Sequence, residues 1–438
     1  MTIDAAIVGA GAAGLAAAAR LRREGHTVAV LEAAPRIGGR ARTLHPASLR
    51  GVCFDAGATW LHSTDNNPLV RLARAAGDDL LPAHTGDRML FEAGGAPAAP
   101  DAEPAYERAE RVWHEAAVQA AERGRDISLR DATAALPDLP WLANVEGWNG
   151  PVIAAADAES LSLLDWHRNL LPENDLRPAH GTGALLARRL GPDAGKVHLG
   201  HAVSRIAWGE PGDMVRVEGG FGTVEARSVI VTVSTGVLRD GRLRFEPRLP
   251  PDQLRALDGL PMGLLSKLAV PLRDAEANGV ASSGRALGVP ADTLLESRLG
   301  RRGDPMMLLS ACPDRAPILV GFLGGRHARD LQHDARAMLA EARERVRAML
   351  GAAAAAGLDP DTGEVSDWGT DPLHGGAYSF ARPGHADARE MLGAPLGGGR
   401  LVLAGEACRT DGLAGTVGGA MLDGERAAGA VMNRLRRS

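Results

Sequence analysis

The chain has 438 residues, 45% of them hydrophobic, and a formal charge of −5 at pH 7, enough material for two domains that each bury a core. It carries no basic footprint for nucleic acid, no cationic amphipathic run for a membrane surface, and no uninterrupted apolar stretch of about 18 residues to cross a bilayer. Three scattered cysteines, Cys53, Cys312 and Cys408, suit neither a disulfide framework nor a metal knuckle, and point to a reducing compartment.

The first 32 residues read as one unit. "AAIVGA" (5–10) is a short buried strand, "AAGLAAAARLRREG" (12–25) a helix closed by basic residues and Gly25, and "TVAVLE" (27–32) a second strand ending in an acid. The first apolar stretch has no basic segment before it, so no secretory signal is expected and a soluble cytoplasmic protein is. "PAYERAERVWHEAAVQAAERG" (104–124) carries apolar residues at helical spacing and predicts a long helix. Strands are expected again in "KVHLGHAVSRIAW" (196–208) and "DMVRVEGGFGTVEARSVIVTVS" (213–234). A second long helix is expected over "ARDLQHDARAMLAEARERVRAMLG" (328–351), followed by "GAAAAAG" (351–357) as a low-complexity linker. "GRLVLAGE" (399–406) is a last strand, and "GTVGGAMLDGERAAGAVMNRL" (415–435) a last helix. The strand-rich start, middle and end assemble most simply into one nucleotide domain, with the helical insertions forming a second domain over it.

"GAGAAG" places Gly9, Gly11 and Gly14 in G-x-G-x-x-G spacing between a strand and a helix. Gly9 allows the tight turn, Gly11 lets a pyrophosphate approach the backbone, and Gly14 lets helix and strand pack closely, with the helix N-terminus favouring phosphate charge. Glu32 ends the next strand 18 residues after Gly14, where a carboxylate accepts hydrogen bonds from ribose hydroxyls and disfavours a 2′-phosphate. A dinucleotide site is expected here.

The stretch that follows, "EAAPRIGGRART" (32–43) with Gly38, Gly39 and Arg40, resembles the FAD-binding signature of the flavin amine oxidase superfamily. Four more segments resemble that family in order: "DAGATWLHSTDNNP" (55–68), closest to the polyamine oxidase version, "LLSKLAV" (264–270), "DWGTDPLHGGAYSF" (367–380), and "LAGEACRTDGLAGTVGGAMLDGERAAG" (403–429). The anchor points cover nearly the whole chain; the regions near 80–190 and 272–360 match only in broad layout. The resemblance implies an α/β fold: a Rossmann-like FAD-binding domain with a parallel sheet (1–75, 194–262 and 394–438) and a discontinuous mixed α+β substrate-binding domain (76–193 and 263–393).

All but two of the 49 basic residues are arginines, and one of the two lysines, Lys267, sits inside an apolar run. The resemblance makes it the family's active-site lysine, which holds a water against flavin N5. A compact ammonium with an adjustable pKa suits that role better than a guanidinium. Tyr378 matches one wall of an aromatic cage around the substrate amine, and the other wall falls on Thr416, which is not aromatic. That departure points to the polyamine oxidase and histone-demethylase side of the family. Ala377 stands where monoamine oxidases carry a flavin-linking cysteine, so FAD is expected to bind non-covalently. The resemblance also assigns Gly57, Ala58, Thr59, Trp60, Val203, Trp368, Gly405, Glu406, Thr416 and Val417 to the cofactor, with Glu406 reaching the ribityl or phosphate region and the helix start at "GTVGG" facing the flavin pyrimidine. His62 either borders the substrate tunnel or is a packed histidine, and Trp368 either faces the flavin or fills the core. Cys408 reads as structural.

The implied activity is FAD-dependent oxidation of an amine, polyamine or secondary amine, by hydride transfer to flavin N5. Water hydrolyses the imine to an aldehyde and a shorter amine, and O2 becomes hydrogen peroxide. Partners are a small-molecule amine and O2, without metal, nucleic acid or membrane. Asp65, Asp157 and Glu173 are candidates to hold a distal ammonium. Alternatives are an L-amino-acid oxidase, a flavin dehydrogenase with another acceptor, and an FAD-binding scaffold without turnover; a carotenoid- or porphyrin-type desaturase is disfavoured by the "AGTVGGA" ending.

Overall fold

The computed structural model describes residues 3–83, 87–171, 174–209, 214–273, 285–359 and 361–437. The opening unit forms as its pattern dictates: strand Ile3–Val8, helix Ala12–Arg23, strand Val28–Leu31. The run from Ala12 to Ala19 is buried throughout, because small side chains let this helix lie between the sheet and the C-terminal helix Val417–Leu435.

Two main sheets carry the molecule. In the first, of eight strands, Ile3–Val8 lies between Val28–Leu31 and Gly222–Val231, all parallel, and Leu401–Leu403 pairs with Gly222–Val231, also parallel. Val215–Gly219 and Val203–Ala207 extend it antiparallel. In the second, of six strands, Leu265–Pro271 pairs antiparallel with Ile318–Gly324 and Glu364–Val365, and Met307–Ala311, Thr293–Ser297 and Arg88–Phe91 complete the order. Leu265–Pro271 and Ile318–Gly324 are buried along their whole length, the near-continuous apolar pattern of strands covered on both faces. The helix Ala102–Glu122 buries Tyr106, Ala109, Trp113 and Ala117 in a separate cluster with Leu129, Trp141 and Phe380.

Two expectations change. The long helix of 328–351 is two, Gly325–Leu331 and Ala335–Leu350; Asp334 caps the second by accepting from the Ala337 N–H at 2.9 Å, a better use of a short acid than a helix interior offers. The linker at 351–357 contains a short helix, Ala352–Ala356, since alanine has the highest helix propensity. Among the described residues no helix is long and apolar enough to cross a membrane, and the three cysteines are unpaired.

Candidate active site

One cavity of about 390 Å³ is lined by residues of both sheets, Val8, Leu31 and Val203 from the first and Leu265 and Lys267 from the second. Its lining includes Gly9, Gly11, Glu32, Gly38, Gly39 and Arg40 from the opening unit, Gly57, Ala58, Thr59, Trp60 and His62 from the next segment, Val203, Lys267, Trp368 and Tyr378, and Gly405, Glu406, Thr416 and Val417 near the C-terminus. All but one of the residues assigned to the site therefore meet in one place. Gly14 does not line the cavity: a Cβ there would stand 1.9 Å from the Gly9 carbonyl oxygen, so its part is the close contact of helix and turn. Gly9 takes φ +104°, a conformation that costs a side-chain-bearing residue heavily.

At the glycine-turn end, the Glu32 carboxylate accepts from the Ala10 N–H at 2.6 Å and the Ala34 N–H at 2.8 Å. Those bonds fix the acid at the cavity wall, and each oxygen keeps a second lone pair. A Cβ at Gly11 would find nothing nearer than the Gly39 Cα at 4.0 Å, and one at Gly405 nothing within 4 Å. The open space at these two glycines, a fixed acid and the head of helix Ala12–Arg23 together fit a dinucleotide.

Glu406 lines the cavity and is also bound to the protein around it. It is buried, and its carboxylate is held by protein donors: Arg40 Nη1 at 2.7 Å, the Ser379 N–H at 3.1 Å and the Ser379 hydroxyl at 2.7 Å. Burial alone raises this carboxyl, but Arg40 and Arg389 outweigh it and hold it below the usual carboxylate range. Arg40 also donates to the Ala377 carbonyl at 3.0 Å. Behind Ser379, Arg389 donates to its hydroxyl at 3.0 Å and grips both oxygens of Asp165 at 2.7 and 3.0 Å. This chain of alternating charge reaches from the cavity wall into the short helix Leu163–Arg168, and no motif in the sequence signalled Asp165 or Arg389.

At the other end, Lys267 is 5% exposed. Its ammonium donates to the Gly57 carbonyl and the Thr59 hydroxyl and lies 3.4 Å from the Asp55 carbonyl, with the rings of Trp60 and Phe322 at 5.2 and 5.6 Å. Burial lowers its pKa to about 8, against an opposing pull from Asp55. The Tyr378 hydroxyl donates to the Ile153 carbonyl at 2.8 Å, and burial, with the Glu406 charge beside it, raises the phenol. Val152 and Ile153 belong to a π-helical stretch, Trp148–Ala154, that also lines the cavity. The proline at 151 inside a helical pattern was the available signal for it.

Thr416 caps the last helix: its hydroxyl oxygen accepts from the Gly419 N–H at 2.9 Å and its proton goes to the Leu413 carbonyl at 2.8 Å. The first turn of that helix, with Val417, thus faces the cavity. Trp368 donates to the Ala56 carbonyl at 2.7 Å and is 3% exposed, so it is a core residue that also forms cavity wall. His62 bonds Asp175 through Nδ1 at 2.8 Å. Burial pushes the Cys408 thiol well up, in keeping with a structural residue. Of the three acids proposed for a distal ammonium, Asp65 is exposed and does not line the cavity. Asp157 is taken up by Arg326, whose backbone N–H lies 3.1 Å away, and Glu173 lies outside the described residues.

A family model described as "flavin containing amine oxidoreductase" matches residues 12–432. Polyamine oxidase 5 of Oryza sativa subsp. japonica is 29% identical over 95% of this chain and 85% of its own length. The probable polyamine oxidase 4 of Arabidopsis thaliana is 30% identical over 95% of this chain and 84% of its own length. The Arabidopsis protein FLOWERING LOCUS D is 30% identical over 96% of this chain and 54% of its own length. Among solved structures, wild-type putrescine oxidase bound to putrescine superposes with a TM-score of 0.75 at 21% identity, covering 99% of this chain and 100% of the other.

Proposed function

Because the chain belongs to the flavin containing amine oxidoreductase family, with FAD as its cofactor, we propose that it oxidises a polyamine or a secondary amine to an imine, which water hydrolyses to an aldehyde and a shorter amine while O2 is reduced to hydrogen peroxide. When bound, FAD would supply the redox chemistry, as acceptor of a hydride equivalent from the C–H bond beside the amine nitrogen. The chain's own residues bind, orient and exclude water. We assign residues 1–75, 194–262 and 394–438 to the part that holds the cofactor and 76–193 and 263–393 to the part that holds the substrate. Ala377, beside Tyr378 in the cavity wall, offers no thiol for a covalent link, so FAD is held non-covalently.

Each residue at the reacting end has a defined task in this reading. Tyr378, its hydroxyl pinned on Ile153, presents a fixed aromatic wall to the amine. Thr416 leaves the facing wall small and caps the helix, so the amine passes without a second ring to grip it. Two of the three donors of Lys267 go to Gly57 and Thr59. The third has only the long contact to Asp55, and it is the donor left to hold a water. His62, fixed by Asp175, borders the way in. The amine reacts unprotonated, so turnover rises with pH through a group of the enzyme–substrate complex.

The observation that carries this reading is the single cavity with the glycine turn and Glu32 at one end and Lys267, Tyr378 and Thr416 at the other. The test is anaerobic mixing of the yellow protein with putrescine, spermidine, spermine, N-acetylated polyamines, aromatic monoamines and L-amino acids, following the visible flavin band. Bleaching by a polyamine or secondary amine, with colour and peroxide returning in air, is the expected result. Bleaching by L-amino acids alone, or by nothing in the panel, overturns it.

A further inference from the structure

The buried ammonium of Lys267 has no carboxylate within ion-pair distance among the described residues, yet a carboxylate is fixed close behind it. Asp55 supplies two things from one residue. Its backbone carbonyl lies 3.4 Å from Lys267 Nζ, and its side chain is locked in place by the Thr43 hydroxyl at 2.5 Å and the Thr182 N–H at 3.0 Å. The packing around it leaves little freedom: a Cβ at Gly181 would stand 2.8 Å from Asp55 Oδ1, and one at Gly183 2.7 Å from the Thr43 N. Thr182 also donates through its hydroxyl to the Thr59 carbonyl at 2.7 Å, and Thr59 is itself a direct acceptor for the lysine. Asp55, Thr59, Thr182 and Lys267 thus form one hydrogen-bonded unit.

The other elements around the ammonium offer no competing charge. The neighbouring strand Ile318–Gly324 presents Phe322 opposite Lys267. The segment beyond the strand on the other side gives the Ser366 hydroxyl, which accepts from the Lys267 backbone N–H at 2.9 Å, and Glu364 accepts from Ser48. On the cavity wall, Glu406 is held by Arg40 and Ser379, and His62 is engaged with Asp175.

We propose that Asp55 is the electrostatic partner of Lys267, a positioning residue that acts across the Gly57–Thr59 turn and keeps the buried lysine charged at neutral pH. The inference deepens the role given to Lys267 above and rests on that reading for its functional meaning. Physically it stands alone: an unpaired buried ammonium otherwise sheds its proton. Burial and Asp55 pull Lys267 in opposite directions, and burial raises the Asp55 carboxyl against Thr43, Thr182 and Lys267. The coupling is reciprocal, as linkage requires.

The chain's composition supplies the test, because Lys196 and Lys267 are its only lysines. Protein grown with isotope-labelled lysine and loaded with FAD gives two Cε signals, and the exposed Lys196 is the internal reference. The Lys267 signal is expected to titrate near about 8, where burial and the opposing pull of Asp55 together hold it, and about 1 pH unit lower in Asp55→Asn, a tenfold change in its protonation equilibrium, while Lys196 does not move. Should Asp55→Asn fail to fold, Asp55→Ser removes the charge with less bulk and is read the same way. A Lys267 signal that titrates in the variant where it does in the parent overturns the proposal. No turnover is needed, so a protein that no amine reduces would still show the shift, and the two readings fail separately.

Discussion

At the glycine-turn end of the cavity the wall is mostly backbone, and at the Lys267 end it is mostly side chain. Gly9 and Gly14 act by what they lack, and even Glu32 spends its hydrogen bonds on the N–H groups of Ala10 and Ala34. At the far end, Lys267 comes from the second sheet, Tyr378 from a loop 111 residues later, and Thr416 from the head of the last helix. The first design depends on spacing within about 30 residues and tolerates no added atom. The second depends on chain segments far apart in sequence, and each group is replaceable at a graded cost.

Gly14→Val breaks the first end outright. Its Cβ would meet a main-chain oxygen at 1.9 Å, and backbone cannot swing aside as a side chain can. We expect no yellow holoprotein, or a loss of at least about 4 kcal/mol of stability, read by flavin absorbance and thermal unfolding. A variant that keeps its flavin and unfolds like the parent would show that the turn is not closely packed.

The next largest effect lies between the two ends. Arg389 is 2% exposed and joins Asp165 to Ser379 and, through it, to Glu406. Arg389→Met leaves the buried Asp165 carboxylate without its cation, and the expected loss is about 3–5 kcal/mol. Burial opposes the charge of Arg389, and Asp165 with its neighbours outweighs it; taking both charges away leaves no buried ion without its partner, so the double variant Arg389→Met, Asp165→Leu should recover part of that loss in denaturant unfolding. No recovery would mean that the pair matters by shape and not by charge.

Lys267→Met tests the side-chain end without touching the turn. Flavin content is expected to stay at the parent level while reoxidation or turnover slows by about 100-fold, the scale of losing one well-placed charged donor. The ammonium form prevails below about pH 8 and is lost as the pH rises through that value. The parent's reoxidation rate should therefore fall across pH 8, and the variant's should be flat there. Equal rates in both half-reactions would remove the lysine from the chemistry.

How much of this was legible in the sequence follows the same division. The strand–turn–helix–strand unit, Glu32 and the last helix could be read directly because their determinants are local. Lys267, Tyr378 and Thr416 were reachable only through a family resemblance, since nothing in "LLSKLAV" says which distant residues it will face. Arg389 and Asp165 were not reachable at all: their meeting spans 224 positions and has no short motif. Glu406 stands in the expected wall, but its protein partners Arg40 and Ser379 were not legible, because a sequence shows an acid and not the distant groups that will hold it. The split of the 328–351 helix was written in Asp334, a capping residue passed over in favour of an unbroken apolar spacing.

The smallest effect is also the finest probe of the second end. Tyr378 can serve the amine as a ring or as a hydroxyl, and the structure separates the two: the hydroxyl is engaged with the Ile153 carbonyl, while a Cβ built on Gly415 would stand 3.4 Å from the ring's Cδ2. Tyr378→Phe removes one hydrogen bond and keeps the wall. The expected cost is about 1 kcal/mol, or roughly a fivefold to tenfold slower flavin reduction by amine, because the ring is then aligned by packing alone. Tyr378→Ala removes the wall itself and should slow reduction considerably more while FAD stays bound. If the two variants were equally slow, the hydroxyl and its tie to the π-helical stretch would carry the effect, and amine recognition at this end would rest on the position of Ile153 as much as on the aromatic face.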